Sequence, residues 1–145
     1  MRLSGKAKPE LRRYQTKRAC VIQTEYLLWK SNSRKVDALI NVWGRASSSN
    51  VQALMWAIEE LGLPYLRQDV GFIYGGNDTP DFLAMNPNGT IPVIQDGENA
   101  PVWETGAILR YLADKYGSNE FWPKCAEGRA AIDKWAEWAK INVAL

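Results

Sequence analysis

The sequence predicts an α/β fold in which a βαβ unit and a β-hairpin share one sheet covered by helices, followed by the start of an all-helical segment. Three observations lead there. Short apolar runs at 38–43, 65–70, 90–94 and 101–103 are bounded by Gly, Pro and Asn, as strands are. Two stretches, 47–61 and 105–116, carry apolar residues at helical spacing. A last stretch from Ala126 onward reads as one further helix.

In chain order, Ala38 to Trp43 ends at Gly44 and reads as a buried strand that turns sharply. Ser47, Ser48 and Ser49 offer N-cap hydroxyls, and Val51, Leu54, Ile58 and Leu61 form an apolar stripe that Gly62 and Pro64 terminate. Tyr65 to Val70 supplies a second strand and Gly71 to Asp78 a glycine-rich loop. Thr79-Pro80 reads as an N-cap with proline at the first helical position, opening a short helix through Met85 that Asn86-Pro87-Asn88-Gly89 closes. Thr90–Ile94 and Pro101–Trp103 flank Gln95-Asp96-Gly97-Glu98-Asn99, which predicts an antiparallel hairpin with an Asp-Gly turn. A helix starts at Glu104-Thr105, with its stripe at Ala107, Ile108, Tyr111, Leu112 and Lys115-Tyr116, and stops at Gly117. The order β-α-β, then α-β-β-α, is the thioredoxin-like arrangement. Ala126 to Leu145 then places Ala131, Trp135, Trp138, Ala139 and Val143 on adjoining faces of a single helix.

Charge divides the chain near residue 36. Residues 1–36 hold 10 Lys plus Arg and 2 acids, a net of +8, whereas 37–145 hold 8 bases and 14 acids, a net of −6. We therefore expect three parts: a basic extension over 1–36, a thioredoxin-like domain over 37–118, and a linker with one helix over 119–145. The extension has three readings: a nucleic-acid arm, an Arg-rich transit peptide, or upstream sequence translated from a misplaced start near Val36. The third is favoured, because a strand follows Val36 almost at once.

The chain has no histidine, which excludes a Ser-His-Asp triad, a Cys-His pair and any His-based zinc site. Cys20 and Cys125 lie far apart and form no Cys-x-x-Cys, so neither a disulfide scaffold nor a dithiol redox centre is encoded. The most apolar region, Ala19 to Trp29, is broken by Gln23, Thr24 and Glu25 and falls short of the roughly 18 apolar residues of a membrane span. These features predict a protein without metal, membrane or nucleic-acid partner, at home in the cytoplasm.

Three motifs, in order, carry a resemblance to the glutathione transferases, particularly the bacterial beta-like and theta-like members, over residues 40–145. Trp43-Gly44-Arg45-Ala46-Ser47-Ser48-Ser49-Asn50-Val51 resembles the family's first strand-to-helix turn, with Glu59-Glu60-Leu61-Gly62-Leu63-Pro64-Tyr65 as the helix exit. Asn86-Pro87-Asn88-Gly89-Thr90-Ile91-Pro92-Val93 resembles its proline segment, and Glu104-Thr105-Gly106-Ala107-Ile108-Leu109-Arg110-Tyr111-Leu112 its Glu-Ser-x-Ala-Ile helix.

The resemblance implies a glutathione transferase acting on a small hydrophobic electrophile, with glutathione as co-substrate and a homodimer in the full-length protein. It implies Ser47 as the hydroxyl that stabilises the glutathione thiolate, with Asn50 a substitute donor. Ser47 and Asn50 stand where a thioredoxin has its two cysteines. Spacing alone favours a plainer role for the three serines, that of helix caps, and which of them faces the sulfur stays open. The resemblance further implies that Ile91-Pro92 is a cis peptide, with Ile91 offering its main chain to glutathione by strand addition. Glu104 and Thr105 are implied as anchors of the γ-glutamyl end, while also capping their helix. Thr90 stands where the family often has Lys, Arg or Gln against the glycyl carboxylate, with Arg45 a possible compensation. Tyr111, Tyr116, Trp56 and Met55 read as core or interface, outside the site. Relatives carry a helical second domain, so the chain is expected to be a fragment with the Trp135 and Trp138 face partly exposed. The alternative function is a glutathione-binding or protein-interaction module without turnover.

Overall fold

Ile40-Asn41-Val42-Trp43 alternates buried and half-buried side chains and forms β1, one of two central strands in a four-stranded sheet. The computed structural model describes residues 39–142. The expectations for the basic extension, for Ala38, for Cys20 and for Val143 lie outside the described residues.

From β1 (Ile40–Trp43) the chain enters α1 (Ser49–Glu60) and returns as β2 (Tyr65–Gln68). A 3₁₀ turn over Phe72–Tyr74 and α2 (Pro80–Met85) precede the hairpin of β3 (Val93–Asp96) and β4 (Val102–Trp103). Then come α3 (Thr105–Tyr116) and α4 (Ala126–Asn142). The sheet order is β2-β1-β3-β4, with β1 parallel to β2 and antiparallel to β3, and β3 antiparallel to β4. Parallel pairing of β1 with β2 requires a crossover, which α1 supplies. This is the thioredoxin-like arrangement followed by a helical region.

The core forms where α1 and α3 lie together over the sheet. Ile40, Val42 and Ile94 meet Leu54 and Ile58 of α1, Ile108 and Leu112 of α3, and Leu63. Burying each such side chain contributes about 1.5–3 kcal/mol. Ala113 is buried and Ala107 exposed, so the inner stripe of α3 runs through Ala113 rather than Ala107.

Element ends differ from the sequence reading for identifiable reasons. β2 stops at Gln68, and the Val70 carbonyl instead accepts the N–H of Arg45 at 3.1 Å. β3 starts at Val93 rather than Thr90, since Pro92 has no N–H for a ladder and buried Asn86 holds the preceding turn. Its Nδ2 donates to the Thr90 carbonyl at 2.8 Å, and its Oδ1 accepts from the Asn88 N–H at 3.1 Å. At α2, Thr79 Oγ1 accepts from the Phe82 N–H at 3.4 Å, the cap that Thr79-Pro80 predicts.

α4 is tied to α3 by charge. Arg110 donates to Asp133 at 2.8 Å and to Glu137, and Arg129 pairs with Asp114. Trp135 and Trp138 on α4 are 61% and 52% exposed, as expected from the sequence. Among the described residues no helix is long and apolar enough to cross a membrane.

Candidate functional site

The register of the sheet decides where the motif residues go. Trp43 at the end of β1 stands opposite Val93 at the start of β3, and Val93 stands opposite Trp103 at the end of β4. The segments that follow or precede these three residues therefore leave the same end of the sheet. They are the turn Gly44–Ser48, the dipeptide Ile91-Pro92 and the start of α3 at Glu104-Thr105.

The first segment is held tightly. Gly44 N–H donates to the Gln68 carbonyl at 2.9 Å, and Ser48 N–H to the Arg45 carbonyl at 3.2 Å. Gly44 has room for no side chain, because a Cβ there would meet Val51 Cγ2 at 2.6 Å. Ser47, Ser49 and Asn50 are exposed, whereas Ser48 is buried. Ser48 is the N-cap of α1, yet its side chain makes no capping hydrogen bond. The capping role that spacing favours is thus filled by position alone, and Ser47 stands outside it.

The second segment carries the one cis peptide among the described residues, Ile91-Pro92. Ile91 is half-buried and Pro92 buried. Positions 44 and 71 both lie against Ile91, a Cβ at Gly44 reaching its Cβ at 3.6 Å and one at Gly71 its Cδ1 at 3.3 Å. The turn after β1 and the proline segment are therefore in contact. Thr90 is exposed, and its Oγ1 accepts from Asn86 Nδ2 at 3.0 Å. Arg45, the candidate compensation for Thr90, stacks its guanidinium 5.4 Å from the Phe72 ring centre.

The third segment is the N-terminus of α3. Glu104 is its N-cap, at φ 70° and ψ 117°, with no side-chain cap. A non-glycine residue in that region costs on the order of 1–3 kcal/mol and persists only where the surroundings impose it. The first N–H groups of α3 have no partner within the helix, and with the helix dipole they favour an anion. Glu104, Thr105 and Asn50 line one groove, of about 880 Å³, that continues between α1, α3 and α4 past Trp56, Leu109 and Ile132. Ser47, Thr90, Ile91 and Pro92 are not part of that groove.

Two of the four aromatic or sulfur residues set aside from the sequence have specific duties. Tyr111 and Tyr116 pack against the core and donate to Asp96 Oδ2 at 2.6 and 2.7 Å. Met55 also packs on the core, but Trp56 is 71% exposed and donates from Nε1 to Glu60 at 3.0 Å. Asp96, read from the sequence only as half of a turn, is buried. The available signal was the Tyr111, Lys115 and Tyr116 spacing, which puts three donors on neighbouring positions of one helix.

Comparisons with known proteins agree with this fold. Residues 38–114 match the family model of the glutathione S-transferase N-terminal domain. Glutathione S-transferase GstB of Escherichia coli (strain K12) is 44% identical over 102 residues, which are 70% of this chain and 49% of that protein. Glutathione S-transferase 1 of Schizosaccharomyces pombe is 40% identical over 81 residues, 54% of this chain and 35% of that one. Among solved structures, the theta class glutathione S-transferase of Xanthomonas axonopodis pv. citri, with glutathione bound, superposes with a TM-score of 0.68 at 43% identity. That match covers 74% of this chain and 51% of the other. The chain thus spans at most about half the length of these relatives.

Proposed function

The chain belongs to the glutathione S-transferase family, and on that premise we propose that it binds glutathione at the sheet end and activates its thiol for transfer to a small hydrophobic electrophile. The observation that carries the proposal is the register that gathers Ser47, Ile91-Pro92 and Glu104-Thr105 at one end of the sheet. The glutathione bound to the theta class relative from Xanthomonas supports the same ligand here.

In this reading the γ-glutamyl carboxylate sits on the free N–H groups and hydroxyl of Thr105, and Glu104 pairs with the ammonium. Ile91 exchanges main-chain hydrogen bonds with the cysteinyl unit. Ser47 donates its hydroxyl to the sulfur, with Asn50 one turn away as a second donor. A free thiol has a pKa of about 8.5, and each unit of depression corresponds to about 1.4 kcal/mol of preference for the anion. The proton leaves to solvent, the thiolate forms a C–S bond, and the leaving group departs with its electron pair. Thr90 contributes through its hydroxyl, whose oxygen accepts from Asn86 Nδ2 and whose proton is left to donate to the glycyl carboxylate. A homodimer, a cytoplasmic location and a domain limit near residue 118 belong to the same proposal.

The second reading is a glutathione-binding module without turnover, in which the ligand is held but no electrophile is oriented against its sulfur. Turnover of a generic aryl halide separates the two. A thiolate absorbance of bound glutathione that titrates below the free thiol, and that Ser47→Ala returns toward it, supports activation. Binding with an unshifted thiol leaves the module reading.

A further inference from the structure

Every main-chain polar group of the tripeptide before Ser47 is tied to a partner. Gly44 N–H and Arg45 N–H donate to the carbonyls of Gln68 and Val70, and the Arg45 carbonyl accepts from Ser48 N–H. The remaining three groups are held by side chains. Arg67 Nη1 donates to the Gly44 carbonyl at 2.8 Å, Asp69 Oδ1 accepts the Ala46 N–H at 3.3 Å, and Gln52 Nε2 donates to the Ala46 carbonyl at 3.1 Å. Arg67 and Asp69 are also paired with each other. The same guanidinium nitrogen therefore links Gly44 and Asp69, and Asp69 passes the link to Ala46.

We propose that Arg67 and Asp69 are positioning residues for thiol activation, a side-chain clamp from the end of β2 that fixes the turn presenting Ser47. The inference rests on the reading of Ser47 given above.

Three features favour a positioning role over a purely structural one. The pair is partly open to solvent, with the side chains 23% and 36% exposed, and pairs so exposed add little to stability. It grips main-chain groups one to three residues from Ser47, where a displacement well under the length of a hydrogen bond alters the approach to sulfur. The hydrogen bond from Arg67, helped by that from Ala46 N–H, also holds the Asp69 carboxyl below its ordinary range, so the clamp is charged at neutral pH. Neither residue contributes to the groove at α3 that holds Glu104 and Thr105. The clamp acts on the thiol end of the ligand and leaves the γ-glutamyl end alone.

The test uses the whole chain and glutathione itself, with thiolate absorbance against pH and calorimetric affinity as paired readouts. Arg67→Met is expected to raise the midpoint of the bound thiolate by about one pH unit, tenfold in acidity, while affinity for glutathione at low pH changes by less than about twofold. Asp69→Asn, which keeps an acceptor for Ala46 N–H but loses the charge facing Arg67, is expected to give a smaller shift in the same direction. It also serves if Arg67→Met does not fold. Combined with Ser47→Ala, Arg67→Met should add nothing, because both act through one hydroxyl. Unshifted midpoints in both clamp variants, alongside a raised one in Ser47→Ala, would overturn the clamp alone. Full additivity of Arg67→Met with Ser47→Ala would overturn it too. A wild-type midpoint equal to that of free glutathione would overturn the role of Ser47 and the clamp with it.

Discussion

Lys115 Nζ donates to the buried Oδ2 of Asp96 across 2.6 Å, tying the last turn of α3 to the end of β3. The same oxygen accepts from Tyr111 and Tyr116. Burial pushes the Asp96 carboxyl up, but the hydrogen bonds from Lys115, Tyr111 and Tyr116 prevail and hold it below the ordinary range. Burial and then the Asp96 hydrogen bond raise the Tyr116 phenol to about 12, and the Asp96 hydrogen bond raises the Lys115 ammonium above its ordinary value.

The signs give a window. The Asp96 contribution is present above the unfolded value of about 4 and is lost as pH falls through the lower folded value. The Lys115 and Tyr116 contributions are present below about 10 and are lost as pH rises beyond it, that of Tyr116 through about 12. Urea midpoints should therefore be flat between about pH 5 and 9 and fall on both sides. Asp96→Asn should lower the plateau by about 2 kcal/mol and flatten both limbs. A variant that keeps the steep limbs would assign them to other groups.

The two capping positions make a matched pair. Thr79 Oγ1 accepts from Phe82 N–H, whereas Ser48 makes no side-chain cap. Thr79→Ala should cost about 1 kcal/mol in denaturant unfolding, and Ser48→Ala less than half of that. Equal losses would mean that Ser48 caps α1 in solution.

Gly44 is a packing constraint. A Cβ there would meet Val51 Cγ2 at 2.6 Å, and Val51 is fully buried in the first turn of α1. Gly44→Ala should destabilise by about 1–3 kcal/mol through overpacking, and Val51→Ala in the same chain should recover part of the loss. Thermal unfolding of the single and double variants measures this coupling, and strict additivity would contradict it.

Much of this was legible because strands, caps and turns are written locally. Gly44 and Gly62 bracket α1, Thr79-Pro80 opens α2, and Asp96-Gly97 makes the hairpin, each through the conformational preference of one or two residues. The three site segments were legible as motifs, but their meeting at one sheet end depends on strand register, a property of the whole sheet. What stayed hidden was long-range and polar. Asp96 gathers donors from residues 15 to 20 positions away, and Arg67 reaches back 23 positions to Gly44. Helical spacing groups the donors Tyr111, Lys115 and Tyr116 but does not name their acceptor, and the contact from Arg67 to Gly44 has no period or composition bias to reveal it. Asn86 was hidden for a different reason: an Asn in Asn-Pro-Asn-Gly reads as a turn former, and only the fold shows that it is fully buried and organises the approach to Ile91-Pro92.

The central claim is that the sheet end carrying Ser47, Ile91 and Thr105 is a glutathione site. Calorimetric titration of glutathione into the purified chain, wild type beside Thr105→Ala, tests it most directly. The account predicts saturable binding at one site per chain, weakened about tenfold in the variant by loss of a hydrogen bond to a charged group. No heat of binding from the folded wild-type chain, or equal affinity in the two proteins, would contradict it.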